Sequence, residues 1–468
     1  MRMREPAFKL LPQPAPLALA ARRVLVLGLG DTGLSVARWV ESEGGKVRVA
    51  DTRKAPPRAD EFDGELHAGR FTKALLKGVD LLCISPGLAL EQPLVREAIA
   101  RGVPVLGDIE LFAWALRERA GEKALAVTGT NGKSTVTALA GHLLREAGLP
   151  TEVAGNIGPP ALEALMRPRR ERGTVWVLEL SSYQLETTWS LATEAAAMLN
   201  LSEDHLDRYA GLAEYAAAKA RIFLGAKLQV LNRCDSASMA MALAERAQVT
   251  FGMDAPPMAE DFGLLAEGGR QWLARGAHKI LDAAELPIFG AHNLSNALAA
   301  CALAHAAGAP LERLAAGLRS FRGLPHRLER VALRNGVAWY DDSKGTNVGA
   351  SIAALKGLGR KAVLIAGGDG KGQDFAPLAD AVRAHARAVL LIGRDAPAIE
   401  RALKAAALPA AIAIERRATL EEAVARAAQV AAPGEAVLLS PACASFDMFR
   451  DYRERGEKFA RAVRALGA

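Results

Sequence analysis

Seven consecutive residues, Gly129, Thr130, Asn131, Gly132, Lys133, Ser134 and Thr135, carry the densest chemistry in the chain. They follow the apolar run Ala124–Val127. They precede Val136, Leu139, Leu143 and Leu144, which recur at helical spacing until Gly148 and Pro150. Strand, glycine-rich turn and helix form the context of a phosphate-binding loop. Glycines let backbone amides approach phosphate oxygens, and the helix N-terminus adds partial positive charge. Lys133 is placed for the β and γ phosphates, and the Ser134 hydroxyl for Mg²⁺. Val127 stands where the common pattern has its first glycine, so a tighter loop is expected.

A second glycine turn, Gly28-Leu29-Gly30-Asp31-Thr32-Gly33, is followed by a strand ending in Asp51. This suits any pyrophosphate, including that of a nicotinamide or flavin, and the same glycines can serve packing alone. Further polar residues follow apolar runs. Glu179 ends one, His205 and Asp207 follow another, and Lys219 lies on the helical stretch LAEYAAAKARIF. Alone, Lys219 reads as an ordinary helix lysine and His205 as a polar loop residue. The clusters Asp341–Lys344, Gly367–Lys371 and Pro441–Ser445 also follow strand-like runs. Ends of strands in α/β sheets are where ligands bind.

These residues require a scaffold of alternating strands and helices. The 468 residues, half of them hydrophobic, suffice for about three domains. The fold class expected is α/β, in three parts. A Rossmann-like domain spans 23–111, a central P-loop ATPase-type α/β domain 112–323, and a Rossmann-like C-terminal domain 324–468. Residues 1–22 are basic and proline-containing and read as a frayed extension without a signal-peptide pattern, which points to the cytoplasm. No apolar run reaches membrane-span length. Cys83, Cys234, Cys301 and Cys443 are scattered, without zinc spacing, and Cys83 and Cys301 read as core. The net charge of +7 is dispersed apart from Arg167, Arg169, Arg170 and Arg172, which read as a solvated loop. With 5% aromatics there is no stacking platform for nucleic acid, and the charge equally suits anionic nucleotides.

The motifs GTNGKST, NIG, ELSSYQLE, NLSEDHLDRY, GAHNLSNALAA, GLPHRLE, DDSKGTN, GGDGKGQDF and SPACASFDMF, in this order, resemble those of the Mur ligase family. The likeness covers nearly everything after residue 22. DDSK-x-TN and SPACAS-x-D resemble the D-glutamate-adding branch more than its sister ligases. The leading Rossmann-like stretch sets the chain apart from folylpolyglutamate synthases. The resemblance implies an ATP- and Mg²⁺-dependent amide-bond ligase of peptidoglycan precursor synthesis, and hence of cell shape and division. Its substrates would be UDP-N-acetylmuramoyl-L-alanine and D-glutamate, joined through an acyl phosphate, by a cytoplasmic monomer with no nucleic-acid partner.

The resemblance also implies roles. Lys133, Glu179, His205 and Lys219 match catalytic positions. Ser134, Glu179, His205 and a carbamylated Lys219 match metal ligands. Gly129 through Thr135, Asn296, Arg327, Asp342 and Lys344 match the ATP site. Thr32, Thr52, Arg53, Ser85, Gly87 and Asn156 match the UDP-substrate site. Thr346, Lys371, Ser445 and Tyr452 match the D-glutamate pocket. Asp31 is an unfavourable neighbour for a diphosphate unless it points away. Gly345, in place of a more usual alanine, suggests a looser backbone. Three sites on three domains make closure part of catalysis, with an open arrangement expected without ligands. An oxidoreductase reading of Gly28–Gly33 and Asp51 leaves GTNGKST unexplained, and a sister ligase taking another amino acid is the nearest alternative.

Overall fold

The computed structural model describes residues 11–168, 173–205 and 208–466. Arg169, Arg170 and Arg172 of the basic cluster, and Asp207, lie outside the described residues, as do residues 1–10. Residues 11–22 are not frayed. Leu11 and Leu19 are buried in the first domain's apolar layers, and Ala21 N–H donates to the Gly44 carbonyl at 2.9 Å.

Alternation within apolar runs builds the sheets. In β1 (Arg23–Leu27), Val24 and Val26 face one apolar layer and Leu25 and Leu27 the other. A run buried on both faces needs helices on both sides, and therefore parallel strands. With β2 (Lys46–Asp51), β3 (Glu65–Ala68), β4 (Leu81–Ile84) and β5 (Val105–Leu106) it forms a parallel sheet, order β3-β2-β1-β4-β5.

The central sheet holds β6 (Lys123–Thr128), β7 (Thr151–Gly155), β8 (Val175–Glu179), β9 (Thr193–Met198) and β10 (Ala226–Asn232). It continues through β11 (Ala247–Phe251), β12 (Phe262–Glu267), β13 (Arg270–Arg275) and β14 (His278–Asp282), in order β14-β13-β12-β11-β10-β9-β6-β8-β7. The β12–β13 and β13–β14 pairings are antiparallel. This β11–β14 edge was not anticipated; its strands alternate weakly and carry many charges.

The third sheet has order β15-β16-β20-β17-β18-β19. Its strands are β15 (Glu329–Arg334), β16 (Val337–Asp341), β17 (Ala362–Gly367), β18 (Ala386–Ile392), β19 (Ala413–Arg416) and β20 (Ala436–Leu439).

The first and central sheets share an apolar core that includes Trp39, Phe112 and Trp176, with the rings of Phe112 and Trp176 edge-on at 5.0 Å. Helix Asp108–Arg117, which carries Phe112, runs across the boundary drawn at 111/112. The apolar clusters of the third sheet hold only residues from 328 onward. It meets the rest through polar contacts described below and through the edge-on ring pair of Phe289 and Tyr340, 6.4 Å apart. Cys83, Cys301 and Cys443 are buried thiols and Cys234 is exposed; none is bonded to another.

Candidate active site

The phosphate loop leaves β6 and enters helix Lys133–Glu146. Gly132, its N-cap, has φ +85°, and a Cβ there would lie 2.5 Å from Asn296 Oδ1. Only glycine meets both demands without strain. The loop is braced by Asn200, at the end of β9. Thr130 N–H donates to the Asn200 carbonyl at 2.9 Å, Asn131 N–H to Asn200 Oδ1 at 2.9 Å, and Asn200 Nδ2 to the Asn131 carbonyl at 3.0 Å. Asn200 was not singled out from the sequence, although its place in NLSEDH, just past a strand, was a usable signal.

A cleft of about 300 Å³ opens over this loop. It is lined by Thr130 through Ser134, Asn156, Glu179, His205, Lys219, Arg327, Lys344, Thr346, Lys371, Ser445 and Tyr452. The expected phosphate, metal and amino-acid residues thus meet in one space. Gly129 and Thr135 do not line the cleft; the Gly129 carbonyl accepts from Lys133 and Lys219, and Thr135 is buried in the first turn of the helix. Asn296 packs beside Gly132, its Nδ2 donating to Asn293 Oδ1 at 3.0 Å. Asp342 does not line the cleft. Its Oδ2 accepts from Ser440 Oγ at 2.7 Å and its Oδ1 from Leu328 N–H at 3.2 Å. Burial raises its carboxyl to about 7. It braces the loop that carries Lys344.

Lys133 Nζ donates to the carbonyls of Gly129 at 2.8 Å and Thr130 at 2.9 Å. Burial lowers its pKa, with Glu179 and Asp204 opposing. Lys219 is 1% exposed; its Nζ donates to the Gly129 carbonyl at 2.8 Å and lies 4.7 Å from the Tyr215 ring centre. Burial, then the charge of Lys133, holds its amine well below the ordinary lysine range. Asp204 and Glu179 oppose this, but burial and the like charge of Lys133 outweigh them, so the neutral form is favoured. Burial, helped by Lys371, Lys133 and Lys219, also lowers the His205 pKa, against Asp204.

Glu179 is 2% exposed. Its Oε1 accepts from Asn156 Nδ2 at 2.6 Å, whereas its Oε2 has no partner among the described residues. A buried carboxylate oxygen without a donor is costly unless a cation completes it. Asn156, matched to the UDP-substrate site, here orients Glu179.

The third domain reaches the loop directly. Arg327 Nη2 donates to Ser134 Oγ at 2.5 Å, and Asn347 Nδ2 donates to Asn131 Oδ1 at 3.1 Å. The expected open arrangement is therefore not the one observed; these polar contacts hold the domains assembled. Lys344 Nζ lies 4.1 Å from the Tyr452 ring centre, and burial together with Arg327 lowers its pKa to about 8. Gly345 is not loose. Its N–H donates to the Asp342 carbonyl at 2.8 Å, its carbonyl accepts from Ala442 at 2.9 Å, and a Cβ would lie 2.6 Å from Asp342 Oδ2. Arg455, fully buried and unanticipated, ties Ser343 to the Cys443 carbonyl, joining the two loops that present Lys344 and Ser445.

The remaining candidates lie apart from the cleft, at the carboxyl ends of β1, β2 and β4, flanking the switch point of the first sheet. Thr32 sits in the first glycine turn, Thr52 and Arg53 follow β2, and Ser85 and Gly87 follow β4. Asp51, at the end of β2, is engaged internally. It accepts from Leu29 N–H at 2.7 Å and pairs with Arg53 at 2.6 Å. Asp31 pairs with Arg58 at 2.7 Å.

Comparison with known proteins accords with this layout. Residues 22–107 match the family model "Mur ligase MurD-like, N-terminal domain", 127–304 "Mur ligase middle domain", and 326–443 "Mur ligase, glutamate ligase domain". The chain is 55% identical over 462 residues to the UDP-N-acetylmuramoylalanine--D-glutamate ligase of Nitrosospira multiformis, covering 96% of this chain and 97% of that one. It is 54% identical to the same-named protein of Methylobacillus flagellatus, over 96% and 98% of the two chains. Among solved structures, MurF from Acinetobacter baumannii superposes with TM-score 0.61 at 18% identity, covering 94% and 93% of the chains. The UDP-N-acetylmuramate-alanine ligase MurC of Thermotoga maritima gives 0.60 at 20% identity, over 95% and 99%. At those identities the superpositions speak to the fold.

Proposed function

Because the chain belongs to the Mur ligase family, we propose that it joins D-glutamate to UDP-N-acetylmuramoyl-L-alanine at the expense of ATP, in peptidoglycan precursor synthesis. The observation that carries this reading is the convergence, in one cleft, of the phosphate loop, the buried acceptor Glu179 Oε2, and Lys371, Ser445 and Tyr452 of the third domain. Backbone amides of Thr130 through Ser134 and the Lys133 ammonium cradle the triphosphate. Glu179, Ser134 and His205, with Lys219 as its carbamate, would hold Mg²⁺, which supplies neutralisation of phosphate and carboxylate charge. The neutral Lys219 amine is the form that adds CO₂.

The UDP portion lies on the first domain against Thr32, Thr52, Arg53, Ser85 and Gly87, and the terminal alanine carboxylate reaches the cleft. That carboxylate attacks the γ-phosphorus, ADP leaves, and an acyl phosphate forms. Lys371, Ser445 and Thr346 bind the D-glutamate carboxylates, so its amine faces the acyl carbon. The amine attacks, loses a proton, and the tetrahedral adduct expels phosphate. Arg327 and Lys344 balance the charge of the transferred group. Holding three reactants in register can lower the barrier by roughly 7–11 kcal/mol. We assign this work to a cytoplasmic monomer; no described helix is long and apolar enough to cross a membrane.

The test is phosphate release from Mg-ATP with UDP-N-acetylmuramoyl-L-alanine and D-glutamate, L-glutamate or no amino acid. Turnover confined to D-glutamate is expected. Turnover with another amino acid and none with D-glutamate would place the chain with a sister ligase.

A further inference from the structure

Tyr183 has no part in the roles above, yet it lines the cleft and its hydroxyl lies 2.7 Å from His205 Nδ1. The two rings meet edge-on, with centres 4.9 Å apart. The tyrosine ring is itself held. The Arg208 guanidinium carbon sits 4.5 Å from its centre, and Arg208 pairs with the buried carboxylate of Glu186 at 2.6 Å. Arg208 also reaches the Pro86 carbonyl of the first domain at 3.4 Å. His205 needs such support, because its backbone is left-handed, with φ +57°. With Nδ1 engaged, Nε2 is the ring nitrogen turned towards Asp204, 3.8 Å away, at the cleft wall.

We propose that Tyr183 is a positioning residue that fixes the His205 ring so that Nε2 is presented to a divalent cation. This rests on the reading of His205 as a cation ligand. A phenol both donates and accepts, so it holds Nδ1 whichever ring nitrogen bears the proton. When Nε2 coordinates, Nδ1 keeps its hydrogen and donates it to the phenolic oxygen. Partners of this kind orient ligating histidines and tune their basicity. Phenylalanine at 183 would keep the ring against Arg208 and His205 but lose the hydrogen bond.

The experiment compares the parent protein, Tyr183→Phe and His205→Ala by two readouts. The first is Mn²⁺ affinity from the electron paramagnetic resonance signal of free Mn²⁺. The second is the ¹⁵N chemical shift pair of His205 in metal-free protein. For Tyr183→Phe, Mn²⁺ affinity falls about tenfold and the His205 Nδ1 shift moves, because that nitrogen loses its hydrogen-bond partner. For His205→Ala, Mn²⁺ affinity falls at least as far. If His205→Ala binds Mn²⁺ like the parent, His205 is not a ligand and the proposal falls with that reading. If His205→Ala weakens binding while Tyr183→Phe does not, the role of Tyr183 alone is overturned. An unchanged His205 spectrum in Tyr183→Phe also overturns it.

Discussion

Asp51 shows how one side chain trades a ligand role for a structural one. Burial alone would raise its carboxyl, but hydrogen bonds from the Arg53 side chain and the Leu29 and Arg53 amides outweigh that and bring it to about 2. The folded state therefore favours the carboxylate. Its contribution is complete above the ordinary value near 4 and is lost as pH falls through about 2. It amounts to no more than about 2 kcal/mol, since Arg53 is half exposed and screened. Asp51→Asn should thus lower urea stability at pH 7 and flatten the acid limb between pH 4 and 2. An unchanged acid limb would contradict this. Lys344, in the cleft, is also shifted downward, but for a lysine this disfavours the charged form. With its pKa near 8, its charge is lost as pH rises through that value. The KM for ATP should rise above pH 8, and Lys344→Arg should remove that limb, because guanidinium stays charged. A KM equally flat in the parent would exclude Lys344 from the ATP site.

Loops and helices impose their own demands. The first glycine turn packs helix Asp31–Ser42 so closely that a Cβ on Gly33 would lie 1.8 Å from the Gly28 carbonyl oxygen. The turn must open to admit it, and backbone cannot rotate away as a side chain can. Gly33→Ala should destabilise the first domain by about 1–3 kcal/mol and abolish binding of the UDP-substrate, while a fluorescent ATP analogue still binds the central domain. Retained UDP-substrate affinity, measured calorimetrically, would show that the turn is not part of that site. The loop around Gly345 illustrates the converse. A residue that looked permissive in sequence is wedged against Asp342 and Ser440.

The three domains are not joined alike. The first two share apolar packing around Trp39, Phe112 and Trp176, while the third has clusters of its own. Its approach to the phosphate loop relies on Arg327 and Asn347. Hydrogen bonds exchanged with water are individually worth little, so this arrangement is easily reversed. Closure and release are accordingly expected to move the third domain against a rigid pair. Arg327→Ala should enlarge the radius of gyration in solution scattering without ligands, and lower kcat by about 10²–10³-fold. Identical scattering of variant and parent would mean that other contacts hold the domains.

The phosphate loop, the glycine turn at 28–33, the alternating strands of the third domain and the polar clusters at strand ends were all legible from residue order. Each depends on neighbours in the chain, since a strand, a turn and a helix N-terminus are local objects. The β11–β14 edge was not, because its strands lack clean alternation and are defined by the partners they pair with. Nor were Asn200 bracing the phosphate loop, Asn156 holding Glu179, Tyr183 meeting His205, or Arg455 tying two loops together. Each of these joins residues 22 to 112 positions apart, or buries a charge inside a helix that reads as solvated. Chain order set which chemical groups are available; tertiary packing decided which of them face the cleft and which are consumed in holding it open, because burial and long-range hydrogen bonds exist only once the sheets are assembled.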